Sequence, residues 1–303
     1  MKRKVVKLGP ATLVISLPSK WTKKFEIEQG DELDLEEKNS SLIIEAQNQK
    51  KYSKEITINI TEDNKHDLKL ILTHIYRLGY DKIIITGNDI DDIKKITNNL
   101  LMGFEVTSRN NKQYIIENIS EPEDQKYETI LRRIFLIIKE TQELLSRSLK
   151  ENKFNQEENE ELRIQLDKYI SFCRRILYNK KQEQESLKWE LLSFLMYIHH
   201  AYYYLYKHIA ENKLKKDNNL NKIMINLSEY FDLLYQGYFK KDIKLIHKVQ
   251  KLKDKYQYGI CLKLISGNKN QVIYSYIREI FRLIQIGTSP VLALLLNQQY
   301  LSQ

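Results

Sequence analysis

Hydrophobic and polar positions divide the chain into three stretches of different periodicity. Over residues 1–50 the period is two. Lys4 to Leu8 reads as a short strand broken by Gly9-Pro10, and Leu13, Ile15 and Leu17 alternate with Val14 and Ser16 as a second. Pro18 opens a short helix with Trp21 and Phe25 on its apolar side, because proline is tolerated in a first helical turn. After a turn at Gly30-Asp31, Leu33 and Leu35 alternate in a third strand. Asn39-Ser40 then turns into Leu42-Ile43-Ile44 as a fourth. A ββ-helix-ββ unit of this size buries too little to stand alone, and it has neither disulfide nor metal to help. Partner strands must come from a second copy, so a homodimer is expected.

Residues 51–120 alternate between the two periods. Ile56, Ile58 and Ile60 predict a half-buried strand; Leu68, Ile71, Leu72, Ile75 and Leu78 follow helical spacing up to Gly79. Lys82 to Thr86 reads as a short buried strand. Ile90, Ile93, Ile96, Leu100 and Leu101 predict a second helix closed by Gly103. Phe104 to Ser108 and Gln113 to Ile119 then form a hairpin across Asn110-Asn111, giving the order βαβαββ. The segments at 79–81 and 101–106 are accounted for by helix C-caps followed by buried strands, without ligand chemistry.

From residue 122 onward the period is helical. Tyr127, Ile130, Leu131, Ile134, Ile137, Ile138, Thr141, Leu144 and Leu145 form the stripe of a bundle helix. Further helices are expected over 157–179, 187–212, 219–238, 241–265 and 271–299, separated by Asn and Gly clusters, for six long antiparallel helices in all. No Pro occurs between Pro122 and Pro290 and no Gly between Gly103 and Gly237, which leaves little but long helices possible.

Composition adds compartment and partner. Only Cys173 and Cys261 are present among 303 residues, so a disulfide framework is excluded and a reducing cytoplasm is expected. Met-Lys-Arg-Lys with no apolar stretch behind it does not read as a secretory leader. The longest apolar run, Pro290 to Leu296, is short for a membrane span, and the mean hydropathy is −0.52. The net charge of +9 is uneven. Residues 1–25 hold Lys2, Arg3, Lys4, Lys7, Lys20, Lys23 and Lys24 without an acid, while residues 26–50 hold eight acids. A local basic face is what polyanion binding requires. A later basic series, Lys240, Lys241, Lys244, Lys248, Lys251 and Lys255, reads as one helix stripe. It either extends a DNA footprint, meets an acidic partner or membrane surface, or is a solvated face.

The residues RKVVKLGPATLVISLPSKWTKKFEIEQGDELDLEE, followed by LIIEA, resemble the swapped-hairpin DNA-binding domain of the AbrB/SpoVT/MazE superfamily. The order of the three stretches, with the phrases GYDKIIITG and LLMGFEV, resembles archaeal PhoU-like regulators that join such a head to a helical bundle. The resemblance implies an α+β multidomain protein. Its parts would be a swapped-hairpin head at 1–50, a small α/β domain at 51–120 and a PhoU-like six-helix bundle at 121–303. It implies that two chains interleave and lay a basic face on duplex DNA, with Arg3, Lys4, Lys7, Thr12, Lys20, Lys23 and Lys24 as contacts. Lacking Asn or Gln on that face, most of these would position on phosphate rather than read bases. Where the family often has Gly-Asn-Ser after the first strand, this chain has Gly9-Pro10-Ala11-Thr12.

PhoU repeats carry Glu/Asp-x-x-x-Asp pairs that bind metal clusters. At the corresponding places this chain has Arg163 with Asp167, His200 with Tyr204, and Glu279 with Leu283. No cofactor is therefore expected and the family's cluster is expected to be lost; His200, His208 and Asp167 are the remaining metal candidates. Glu157 and Glu161 have the spacing but read as first-turn charges. Within YIHHAYYYLYKHIA, the adjacent His199 and His200 point about 100° apart, as a polar-aromatic seam satisfied by hydroxyl and imidazole hydrogen bonds. No nucleophile elbow, metalloprotease or Gly-rich phosphate motif is present, so an enzyme is not expected. The sequence therefore predicts a cytoplasmic, dimeric transcriptional regulator tied to phosphate uptake or phosphate status. A phosphate-transport or signalling protein is the further partner expected; the alternative is a PhoU-like adaptor that does not bind DNA and docks on a transporter or kinase.

Overall fold

The computed structural model describes residues 1–38, 40–46, 54–87, 92–110, 113–120, 126–180, 184–212, 218–267 and 270–301. It is α+β, and it divides into two compact units, Met1–Ser53 and Lys54–Gln303. Ile90 and the expected turn positions Asn39, Asn111, Asn268 and Lys269 lie outside the described residues.

The first unit contains two antiparallel hairpins and a helix. Strands β1 (Val6–Leu8) and β2 (Thr12–Val14) pair with Lys7 opposite Leu13, across a turn where Gly9 takes φ 77°. Helix α1 (Ser19–Lys24) starts at Pro18, whose carbonyl accepts from the N–H groups of Trp21 and Thr22. Strands β3 (Leu33–Lys38) and β4 (Ser41–Ala46) pair from Leu33–Ala46 to Lys38–Ser41.

The second unit begins with a four-stranded sheet in the order β5-β6-β8-β7. Strands β5 (Glu55–Asn59) and β6 (Lys82–Thr86) are parallel, joined through a 3₁₀ turn and α2 (Leu68–Arg77). Helix α3 (Ile93–Leu100) leads to β7 (Phe104–Asn110) and β8 (Gln113–Asn118), which return antiparallel. The predicted βαβαββ order is what forms. Gly79 and Gly103 end the two helices with φ near 80°. A Cβ on Gly103 would stand 2.4 Å from the Ser120 carbonyl oxygen, so these positions are packing and capping glycines, as their spacing implied.

The rest is a helical bundle of α4 (Lys126–Glu151), α5 (Gln156–Lys180), α6 (Glu185–Glu211), α7 (Asn218–Phe239), α8 (Ile243–Lys253), α9 (Cys261–Gly267), α10 (Gln271–Ile286) and α11 (Thr288–Leu301). The expected apolar stripe of α4 is buried, apart from the half-buried Ile130. Two expected long helices are interrupted. The fifth widens into a π-helical turn at Asp254–Ile260, where the Cys261 N–H donates to the Tyr256 carbonyl five residues back. The sixth breaks at Gly287, because Pro290 supplies no N–H to the preceding turn and a Cβ at Gly287 would press on Leu283 and Phe194. By length and composition the stretch Gln271–Asn297 could cross a membrane, contrary to the expectation from single apolar runs; most of its apolar window is buried in the bundle.

The sheet layer and the bundle hold separate apolar cores, joined along α5, on which α2 and α3 pack. Arg175 of α5 is buried there. Its Nη1 donates to the Tyr76 and Tyr80 carbonyls at 2.9 and 2.8 Å, and its Nη2 pairs with Asp81 at 2.5 Å. Arg175→Gln is expected to destabilise residues 54–303 by about 3 kcal/mol, because it takes the buried cation away from Asp81 and the guanidinium donors away from the Tyr76 and Tyr80 carbonyls. Urea denaturation with limited proteolysis checks this, and cleavage should begin within 54–120.

Candidate nucleic-acid interface and a buried polar seam

The head's basic candidates fall on three elements. Arg3 and Lys4 lie in the extended segment before β1, Lys7 is on β1, and Lys20, Lys23 and Lys24 are on α1. Lys20 and Lys24 are one turn apart on α1, about 100° around the helix from Trp21 and Phe25, whose rings meet at 5.5 Å. Lys24 also reaches over the Phe25 ring. The hairpin register separates the remaining two candidates. Lys7 shares a face with Leu13, whereas Thr12 shares the opposite face with Val6, Leu8 and Val14. One flat surface on this hairpin therefore cannot use Lys7 and Thr12 alike.

The same strands carry large apolar side chains in water. Leu13 is 69% exposed and Leu35 63%, and Val6, Leu8, Ile15 and Leu42 are similarly open. A single head with its alternating residues uncovered on this scale is an unfinished core.

Inside the bundle, the metal candidates are only partly brought together. His200 Nε2 meets Asp167 Oδ1 at 2.9 Å. His208 is elsewhere, beside Asn212 and the Tyr276 ring. Arg163 lies between Glu160 and Asp167 and pairs with both, and Tyr203 donates to Glu160 at 2.8 Å. Burial alone would push the Asp167 carboxyl up, but the bond from His200 and the charges of His200 and Arg163 hold it below its usual range. The hydrogen bonds from Arg163 likewise hold Glu160 low. A donor set already neutralised by a guanidinium does not fit a metal cluster. Among the described residues, no group of three or more His, Cys, Asp or Glu could hold a metal ion.

The tyrosine-rich stretch of α6 does form a satisfied seam. Tyr202 accepts from Gln142 at 3.0 Å, and Tyr206 bonds Ser148 and the Asn155 backbone. His199 departs from that expectation. It is fully buried and neither ring nitrogen has a partner among the described residues. Burial, with repulsion from His200 and Arg163, pushes its pKa down to about 3.

The later basic series does not form one stripe. Lys240 and Lys241 lie in the turn after α7, Lys241 at φ 54°, while Lys255 lies on the π-helical turn beyond α8. Lys248 edges a cavity of about 620 Å³ with Lys139, Gln142, Ser228, Tyr230 and Tyr256. Sequence reasoning missed a different set, Lys168, Ser171, Arg174 and Arg175 on α5. Their spacing of three, four and seven, interleaved with Ile170, Phe172, Cys173 and Ile176, was the available signal.

Residues 6–52 match the family model described as antidote-toxin recognition MazE, bacterial antitoxin. This match supports a MazE/AbrB-type swapped-hairpin head at the N-terminus. No curated protein and no solved structure matches the chain.

His199 generates a prediction with a pH signature. Between its ordinary value of 6.5 and about 3, the unfolded chain binds a proton that the folded chain refuses, so stability falls as pH drops through that window. His199→Leu is expected to stabilise the bundle by about 1–3 kcal/mol near neutrality, by removing two unpartnered buried nitrogens. The gain should be larger at pH 4.5 than at pH 7.5, as read by urea denaturation at both.

Proposed function

We propose that the protein is a homodimeric, DNA-binding transcriptional regulator. What carries this reading is the acid-free run of seven basic residues over positions 1–25, borne on a MazE/AbrB-type head. Exposed lysines on α1 and the basic N-terminal segment suit phosphate contacts, which release counterions and position the protein on the duplex. The uncovered apolar strands suit a second copy interleaving its own hairpins. The finer part of the proposal is that the 121–303 bundle reports phosphate status, through a ligand or through a phosphate-transport or signalling protein. That part rests on the PhoU-like order of the three stretches, and it makes the protein a cytoplasmic regulator rather than an enzyme. An effector that weakens DNA binding must itself be bound less tightly by the DNA complex.

Fluorescence anisotropy on duplex DNA from the protein's own upstream region, across several salt concentrations, tests the reading. Lys20→Ala, Lys23→Ala and Lys24→Ala combined remove six lysines from the homodimer and should flatten the log–log salt slope by about 5 if all of them meet phosphates, and weaken binding on all sequences alike. Binding indifferent to salt and to these changes would point to the adaptor instead. For the dimer, Leu13→Asp is expected to lower the mass in analytical ultracentrifugation from two chains to one, with DNA binding lost in parallel.

A further inference from the structure

Two arginines lie along the contact of α2 of the sheet layer with α5 of the bundle, where Ser171, the partner of Arg77, and Arg174 are one turn apart on α5. Arg77 Nη2 donates to Ser171 Oγ at 3.1 Å. Arg174 is only 6% exposed; its Nη2 donates to Ser193 Oγ at 2.8 Å, and its guanidinium lies 5.1 Å from the Trp189 ring centre. The Nε atoms of both arginines are buried and have no partner among the described residues.

The acids that could balance them are committed elsewhere. Asp167 bonds Arg163 and His200, and Asp81 bonds Arg175. Asp167 acts on both arginines but is already shared by Arg163 and His200, so positive charge exceeds negative along the seam among the described residues. Its own groups register that: burial and then the Arg174 charge hold Arg77 down at about 10, despite Asp167. His74, one turn before Arg77, is lowered by burial and by both arginines. Two buried guanidiniums sharing a site are costly unless an anion joins them, and each presents the planar fork of donors that matches an oxyanion. The exposed side chains of His74 and Tyr197 lie within electrostatic reach of the two arginines.

We propose that Arg77 and Arg174, with the Ser171 and Ser193 hydroxyls orienting them, bind a small dianionic oxyanion of the phosphate or sulfate class. One guanidinium comes from the sheet layer and one from the bundle, so the bound anion ties α2 to α5. The inference goes beyond the DNA-binding reading and stands on these side chains whether or not the protein is tied to phosphate status.

The test is isothermal titration of the full chain with inorganic phosphate, at ionic strength held constant with chloride, with sulfate and acetate as further arms. Saturable 1:1 binding of phosphate or sulfate is expected, with acetate at least tenfold weaker and a rise in Tm that chloride does not reproduce. Arg77→Gln, at the half-buried position, is expected to weaken binding at least tenfold with unchanged far-UV circular dichroism. Arg77→Lys, which keeps the charge but loses the fork, should fall between. If Arg174→Gln does not fold, the Arg77 pair alone decides. No saturable binding, or equal affinity in wild type and Arg77→Gln, overturns the site. A chain that binds DNA but no oxyanion would sink this inference and leave the DNA reading intact.

Discussion

Helix α5 presents two cations, seven residues apart, to the ends of the helices that cover the sheet. Arg175 takes the Tyr76 carbonyl in the last turn of α2 and the Tyr80 carbonyl just beyond it, and Lys168 donates to the Asn98 carbonyl in the last turn of α3 at 2.6 Å. A helix end leaves carbonyls without intrahelical partners and a partial negative charge, so a buried helix terminus needs donors of this kind. The attachment of the sheet layer to the bundle depends on this arrangement. Apolar contact between α2, α3 and α5 has little direction by itself. The charged bonds set the register in which the two cores meet, with the Arg175 guanidinium also lying over the Tyr76 and Phe104 rings.

The bundle interior is more polar than its helical spacing suggests. Large buried tyrosines fill it, and their hydroxyls find partners across helices: Tyr202 with Gln142, Tyr206 with Ser148, and Tyr230 with the Val249 carbonyl at 2.8 Å. The first two join α4 to α6 and the third joins the consecutive helices α7 and α8, and all restrict how these helices slide. On α5, Arg163 is fixed between Glu160 and Asp167. A permanent cation built into the side chains does the charge balancing there. Cys173 and Cys261 are both buried with thiols pushed up by burial, so they serve as small packing groups rather than nucleophiles.

The head has the opposite character. Its strands are short, their apolar residues face water in the single chain, and its charge is segregated, with the basic half first and the acidic half after. Covering the apolar residues with a second copy would bring two basic segments into one object. Dimerisation and polyanion binding are in that sense one requirement, because the same fold-completing step doubles the positive face.

Periodicity alone determined much of this protein. The alternations in Leu33–Ala46, the spacing from Tyr127 to Leu145 and the Gly79 and Gly103 caps each depend on neighbours within a few residues, and such local patterns are written directly in the chain. The basic run over residues 1–25 was legible for the same reason. Only the tertiary structure decided that Lys7 and Thr12 take opposite faces of their hairpin, that His199 has no partner among the described residues, and that Arg77 of α2 bonds Ser171 of α5. Register, burial and the pairing of residues 94 positions apart in sequence are set by packing between elements, for which a single chain's spacing carries no coordinate.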